Sequence, residues 1–317
     1  MPLPPNARLV AGVLLCATLF GCATPQTLAL RQQSSLLPVR MELAEVPFYP
    51  QEDHQCGPAA LATVLNSAGI DQTPARLRDL VYLPNRKGSL QVEIIAAIRS
   101  SGLLAYPLEP SLADLLAEVA AGNPVLVLQN LGFAVIPFWH YAVAVGFDRE
   151  REEIILRSGR ERRQVLPLTV FERTWARSGY WSVLALPADR LPATARESAY
   201  ATAAVDLEKT GHPAVARRAY ATALSRWPAS LPARMGQGNT AYAAGDLSAA
   251  EGAYRQAIID HPNEWEPMNN LAIVLSDRGL NDQALAAAEL ALRLSNRDSE
   301  VRATLELIRK RQASTTQ

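Results

Sequence analysis

The sequence predicts two domains of different class, a mixed α+β domain followed by an all-α solenoid. Two observations predict this. Up to about residue 187 helical apolar spacings give way to short strand-like runs, whereas from about Ala193 the strand signals stop and Ala, Leu, Arg, Glu and Gln dominate. That second stretch also recurs with itself: Gly211, Gly245 and Gly279 are spaced by 34 and again by 34 residues. The chain has 317 residues, of which 49% are hydrophobic, enough for two cores. Its 31 basic and 31 acidic residues cancel, and no basic stripe suggests a nucleic-acid partner.

In the first half, Ala60, Leu61, Val64, Leu65 and Ala68 follow helical spacing, so Gly57–Ser67 is expected as a helix. Thr73 before Pro74 reads as a cap and first residue of a helix over 74–82. Gln91–Ser101 and Ser111–Ala121 read as two more. Strands are expected at Val125–Gln129, His140–Phe147, Ile154–Ser158, Gln164–Pro167 and Tyr180–Leu186. The charged turn Asp148–Glu152 makes the second and third of these a hairpin.

In the second half, Ala216, Ala250 and Ala284 share the same interval, as do Ala223, Ala257 and Ala291. Tyr220 and Tyr254 keep it too, and so do Pro228 and Pro262. This pattern resembles the tetratricopeptide repeat. Small residues let paired helices approach, an aromatic fills the gap against the next repeat, and Pro ends the second helix. Three repeats fit at 197–230, 231–264 and 265–298, with Glu300–Arg311 as a solvating cap helix and the array reaching about residue 312. In the third repeat Ala288 replaces the aromatic and Asn296 the proline. Residues 188–196, with Pro192, read as the linker.

The N-terminus has Arg8, then an apolar run from Leu9 to Phe20, about a dozen residues, short for a span but suited to a signal-peptide core. Leu19-Phe20-Gly21-Cys22 resembles a bacterial lipoprotein cleavage box. The resemblance implies a signal peptide over 1–21, lipid on Cys22, and, with Ala23 following, the periplasmic face of the outer membrane. Residues 22–40 are then expected to be a lipidated tether before a domain spanning 41–187.

Of three cysteines, Cys16 falls in the removable segment and Cys22 in the lipid box, which leaves Cys56 as a lone thiol with no disulfide partner. Cys56 is placed at a helix start, where unpaired N–H groups favour an anion, and Gly57 is expected to let a substrate backbone approach. A base is needed among four histidines. His212 and His261 sit in turns of the repeats, and His54 is too near Cys56 in sequence to align on it. His140 opens a strand in which alternation puts Ala142, Ala144 and Gly146 on its own face, leaving room for a cleft.

Gln51-Glu52-Asp53-His54-Gln55-Cys56-Gly57-Pro58-Ala59-Ala60, together with His140-Tyr141-Ala142-Val143-Ala144-Val145-Gly146-Phe147-Asp148, resembles the C39-like branch of papain-fold cysteine peptidases. The resemblance covers about residues 41–187. It implies a papain-like fold with Cys56 as nucleophile, His140 as base and Gln51 as donor to the oxyanion. A neutral amide suits that last role. The family usually carries Asp-Pro after the next strand to orient the His; here Ser158-Gly159 stands there. Asp148 is eight residues along the strand, ~26 Å away, and out of reach. Ser158, or alternatively Asn130, is the expected orienter.

The expected activity is hydrolysis of peptide bonds, the family implying sites after small residues such as Gly. The repeats would recruit the substrate protein or a partner. Alternatives are a papain-like adaptor that grips peptides without cutting, and an acyl- or amide-transferring enzyme on the same fold. No cofactor or metal is expected, since no metal-ligand cluster or phosphate-binding glycine loop occurs in the sequence.

Overall fold

The computed structural model describes residues 24–32, 36–51, 55–86, 88–296 and 298–315. The expected signal segment, Cys16, Cys22 and His54 lie outside the described residues. The chain forms two compact units. One takes the described residues to Ser101, with Ala105–Ala185 and Pro192–Thr194; the other takes Gly102–Leu104, Leu186–Leu191 and Ala195 onward. The expected linker is therefore shared between the units.

The first unit runs α1 (Pro25–Gln32), β1 (Arg40–Glu42), α2 (Cys56–Ser67), α3 (Pro74–Val81), α4 (Gln91–Ser100), β2 (Leu104–Pro107), α5 (Leu112–Ala120), β3 (Val125–Asn130), β4 (Trp139–Asp148), β5 (Glu153–Ser158), β6 (Glu161–Pro167), α6 (Leu168–Ala176) and β7 (Ser182–Leu186). The sheet order is β2-β7-β3-β4-β5-β6, and β1 also pairs with β4. β4 is antiparallel to β3, β5 and β1. Local signals place the helix starts as expected. Thr73 Oγ1 accepts from the Arg76 N–H at 3.4 Å, and Ser111 Oγ from the Asp114 N–H at 3.1 Å. α2 is buried on every side from Gly57 to Leu65, as an apolar helix without a polar face must be.

Four features differ from the sequence reading. The segment expected to be a tether contains α1, which is docked: Thr27 is buried, and Glu172 on α6 accepts from the Gln26 and Thr27 N–H groups at 3.0 and 2.7 Å. Three backbone and side-chain donors satisfied by one buried carboxylate hold that helix in place. Strands do not simply follow helices, because β2 interrupts the helices and α6 the strands. α6 buries Leu168, Phe171 and Trp175, a helical spacing present in the sequence. Finally, a bulge between Ala144 and Gly146 breaks the alternation along β4. Ala142 and Ala144 are wholly buried. A Cβ on Gly146 would lie 2.7 Å from Met41 O, so this glycine admits β1 rather than opening a cleft.

The second unit is a run of antiparallel helix pairs. They are α7 (Glu197–Lys209) with α8 (Pro213–Arg226), α9 (Leu231–Ala243) with α10 (Leu247–Asp260), and α11 (Trp265–Asp277) with α12 (Asn281–Leu294). α13 (Ser299–Thr315) ends it. Gly211, Gly245 and Gly279 turn each pair at φ of 90°, 76° and 75°. Tyr220 and Tyr254 lie where a Cβ on Gly236 or Gly238 would be, at 2.2 and 2.4 Å. In the third repeat the smaller Ala288 is buried in one cluster with Leu305 and Ile308 of α13. The cap helix thus packs as well as solvates, and Asn296, at φ 49°, ends α12 in the left-handed conformation.

Candidate active site around Cys56

Cys56 is the first residue of α2, and Gln55 before it lines an open depression with Arg78, Asp79, Tyr82 and Pro84. Burial pushes the thiol above its ordinary pKa. The nearby backbone N–H groups of Tyr141, Gly57 and Cys56 itself favour the thiolate and oppose that shift. The Tyr141 N–H belongs to the peptide that joins it to His140, so the thiol meets β4 beside the histidine.

His140 is half-buried, and burial lowers its pKa from the ordinary 6.5. Its Nε2 lies 2.8 Å from Ser158 Oγ, at the end of β5. With Nε2 donating to the hydroxyl, Nδ1 is the ring nitrogen left to accept a proton. Both shifts point to a neutral thiol beside a neutral imidazole, not an ion pair. Ser158 supplies no charge that would reverse this.

Gln51 is fastened at two points. Its backbone N–H donates to Gly159 O at 2.9 Å, and its Nε2 reaches Tyr141 O at 3.5 Å. The second contact is long and weak, so the amide can turn to a better acceptor. One residue, Tyr141, thereby faces Cys56 with its N–H and Gln51 with its C=O. Gly159, at φ +59°, makes the turn that lets the same short segment serve both His140 and Gln51.

The structure links His140 to Ser158, and it links Gln51 and Cys56 through Tyr141. Asn130, the alternative orienter, is not among them. It pairs across the sheet with Trp139 while Gln129 pairs with His140. Asn130 Oδ1 accepts from the Gly132 and Phe138 N–H groups, and its Nδ2 donates to Phe133 O. Asp148 is held at the far end of β4 by Arg40 at 2.7 Å. Gly57 also differs from expectation: a Cβ there would lie 2.4 Å from Ser89 Oγ, so the space is filled by Ser89 and not left for substrate. Ser89 O in turn accepts from Tyr141 Oη at 3.3 Å, and Trp181 meets the Tyr141 ring edge-on at 5.8 Å. Sequence reasoning missed this packing around Tyr141, and the key contacts there are backbone atoms that no residue type signals. His212 and His261 sit at the ends of repeat helices.

Two family models match separate parts of the chain. Residues 43–183 match the model of the Peptidase_C39 like family, and residues 202–264 and 235–299 match the tetratricopeptide repeat. The chain carries a C39-like peptidase-family domain followed by tetratricopeptide repeats. Such repeats generally mediate protein–protein interaction. An uncharacterised protein of Methanothermobacter thermautotrophicus is 38% identical over 71 residues, 22% of this chain and 49% of that protein, so the match spans about half of that relative's length. A structure described as a C39-like peptidase of Bacillus anthracis is 18% identical with a TM-score of 0.40, covering 46% of this chain and 97% of that one. The Sgt2 tetratricopeptide domain of Aspergillus fumigatus is 16% identical with a TM-score of 0.37, over 38% of this chain and 81% of that one.

Within the C39-like domain, the groups present are the Cys56 thiol, the His140 imidazole and the Gln51 amide. Among the described residues no group of three or more His, Cys, Asp or Glu is placed to hold a metal ion, and no helix is long and apolar enough to cross a membrane.

Proposed function

We propose that the protein is a membrane-anchored cysteine peptidase that works through a thioester. The observation that carries this reading is the backbone of Tyr141, which faces Cys56 with its N–H and Gln51 with its C=O, next to His140. As Sγ attacks a peptide carbonyl, His140 Nδ1 takes the thiol proton. Gln51 Nε2 and the Cys56 N–H hold the oxyanion. The imidazolium returns its proton to the leaving amine, and the thioester remains. Water, deprotonated by His140, then releases the acid and restores the thiol. Ser158 is a positioning residue that keeps the ring in the productive tautomer. Sites after small residues such as Gly, capture of the substrate protein by the repeats, and lipidation of Cys22 at the outer membrane belong to the same reading.

A second reading, a peptide-gripping adaptor, is favoured by one observation: the thiol is pushed up and its histidine has a neutral partner. Mapping new peptide termini in cells with wild-type and Cys56→Ala protein separates the two. Peptidase action predicts termini that vanish with the variant and an acyl-enzyme trapped by mass spectrometry. Unchanged termini and unaltered cell function with Cys56→Ala sink it in favour of the adaptor. Products joined to amine acceptors, with no free acid, would instead assign acyl transfer.

A further inference from the structure

We propose that the β3–β4 connection, Leu131–Trp139, is a docking element that seats the C39-like domain on a lipid bilayer. These nine residues include no charged side chain. Six large apolar ones stand exposed: Leu131 at 45%, Phe133 at 74%, Val135 at 88%, Ile136 at 73%, Phe138 at 61% and Trp139 at 51%. A contiguous exposed apolar segment of this kind marks an interaction surface.

Its shape selects the occupant. Exposure is highest at the tip and falls toward Trp139, beside His140. A side-chain pocket for substrate needs a concave, half-buried lining. This segment instead projects as a hairpin. Two backbone bonds cross its base, Leu131 N–H to Phe138 O at 2.9 Å and Phe133 N–H to Ile136 O at 3.1 Å. Asn130 Oδ1 takes the Gly132 and Phe138 N–H groups at 3.0 and 2.9 Å. Four of its N–H groups are satisfied in this way, which lowers the cost of seating the segment against apolar lipid. At the neck, Trp139 and the exposed Arg177, which donates to Gly132 O at 2.7 Å, provide the aromatic and the cation that suit the headgroup layer.

A second support rests on the proposed lipid anchor. α6 holds both α1, through Glu172, and the hairpin neck, through Arg177 at its C-terminal cap. The two points are ~7.5 Å apart along the helix axis. Cys22 precedes the buried Thr24 by two residues, ~7 Å of chain at most. An anchor there would hold the domain close to the bilayer with almost no slack.

The test uses the chain from Thr24 to Gln317, which keeps every described residue and has no lipidation site. It is floated with phosphatidylethanolamine and phosphatidylglycerol vesicles. The parent chain is expected to float, and a Val135→Asp/Ile136→Asp variant to lose at least about tenfold in partitioning, with unchanged thermal unfolding. A polarity-sensitive fluorophore on Val135→Cys, in a Cys56→Ala background, should shift to the blue when vesicles are added. A parent that stays with the soluble fraction overturns the proposal. So does a double variant that floats equally well, including one that floats but no longer cleaves a soluble peptide, which would assign the hairpin to substrate. Lipidation of Cys22 is read separately, from the mass of the full chain purified from an expressing bacterium.

Discussion

Gly57 and Gly236 meet the same steric condition in the two units with different consequences. A Cβ would collide with Ser89 Oγ in the first case and with the Tyr220 ring in the second. At Gly236 the neighbour comes from the preceding repeat, and at Gly238 a second tyrosine, Tyr254 of the same repeat, fills the corresponding space. At Gly57 the neighbour is a loop residue that also carries the Tyr141 hydroxyl, and the arrangement occurs in one place. The repeat unit is made of short-range contacts that recur. The C39-like unit gathers its site from distant segments: Gln51 with Gly159, Cys56 with Tyr141, His140 with Ser158. Damage should therefore be graded in the repeats and concentrated in the site.

The strongest challenge to that contrast is Cys56→Ala. Hydrolysis of a peptide substrate should fall at least about 10³-fold, because the covalent step is lost. Thermal unfolding should not move. Residual turnover close to wild type would assign the chemistry elsewhere. Gln51→Ala should lower kcat about 100-fold with little change in KM, as loss of one oxyanion donor does. A change confined to KM would make Gln51 a ground-state contact.

In the repeats, Gly236→Ala forces Tyr220 to move and should destabilise that unit by about 1–3 kcal/mol, seen by calorimetry. The rate of Cys56 alkylation should stay the same; a matching drop in that rate would break the proposed independence of the site.

The smallest effect sharpens the account of His140. Burial holds its pKa below 6.5, so the base stays neutral under mild acid and the acid limb of kcat/KM should lie below that value. Ser158→Asp would place a carboxylate on Nε2, favour the imidazolium and raise that pKa. The acid limb should move up by about one pH unit, and kcat/KM at neutral pH should rise about tenfold. A limb that does not move in the variant would show that Ser158 only packs against the ring.

The sequence by itself determined that the second half is a tetratricopeptide-repeat solenoid. The glycines, alanines and tyrosines of its repeats act on neighbours a fixed distance along the chain, and local spacing encodes such contacts. It also supplied the candidate site residues, and it determined the helix starts at Thr73 and Ser111, because a cap is a bond between residues three apart. Only the tertiary structure decided the rest. α1 has the composition of a tether and is ordered by Glu172, far along the chain. Ser158 and Asn130 were equivalent as orienters until the sheet register put Asn130 opposite Trp139 and turned its amide into the hairpin neck. The bulge at Val145 cancelled the open face that alternation implied. Tyr141 links Cys56 and Gln51 through backbone atoms, which every residue carries. Long-range pairing and backbone donors leave no mark in residue type or spacing, so they exist only once the chain has folded.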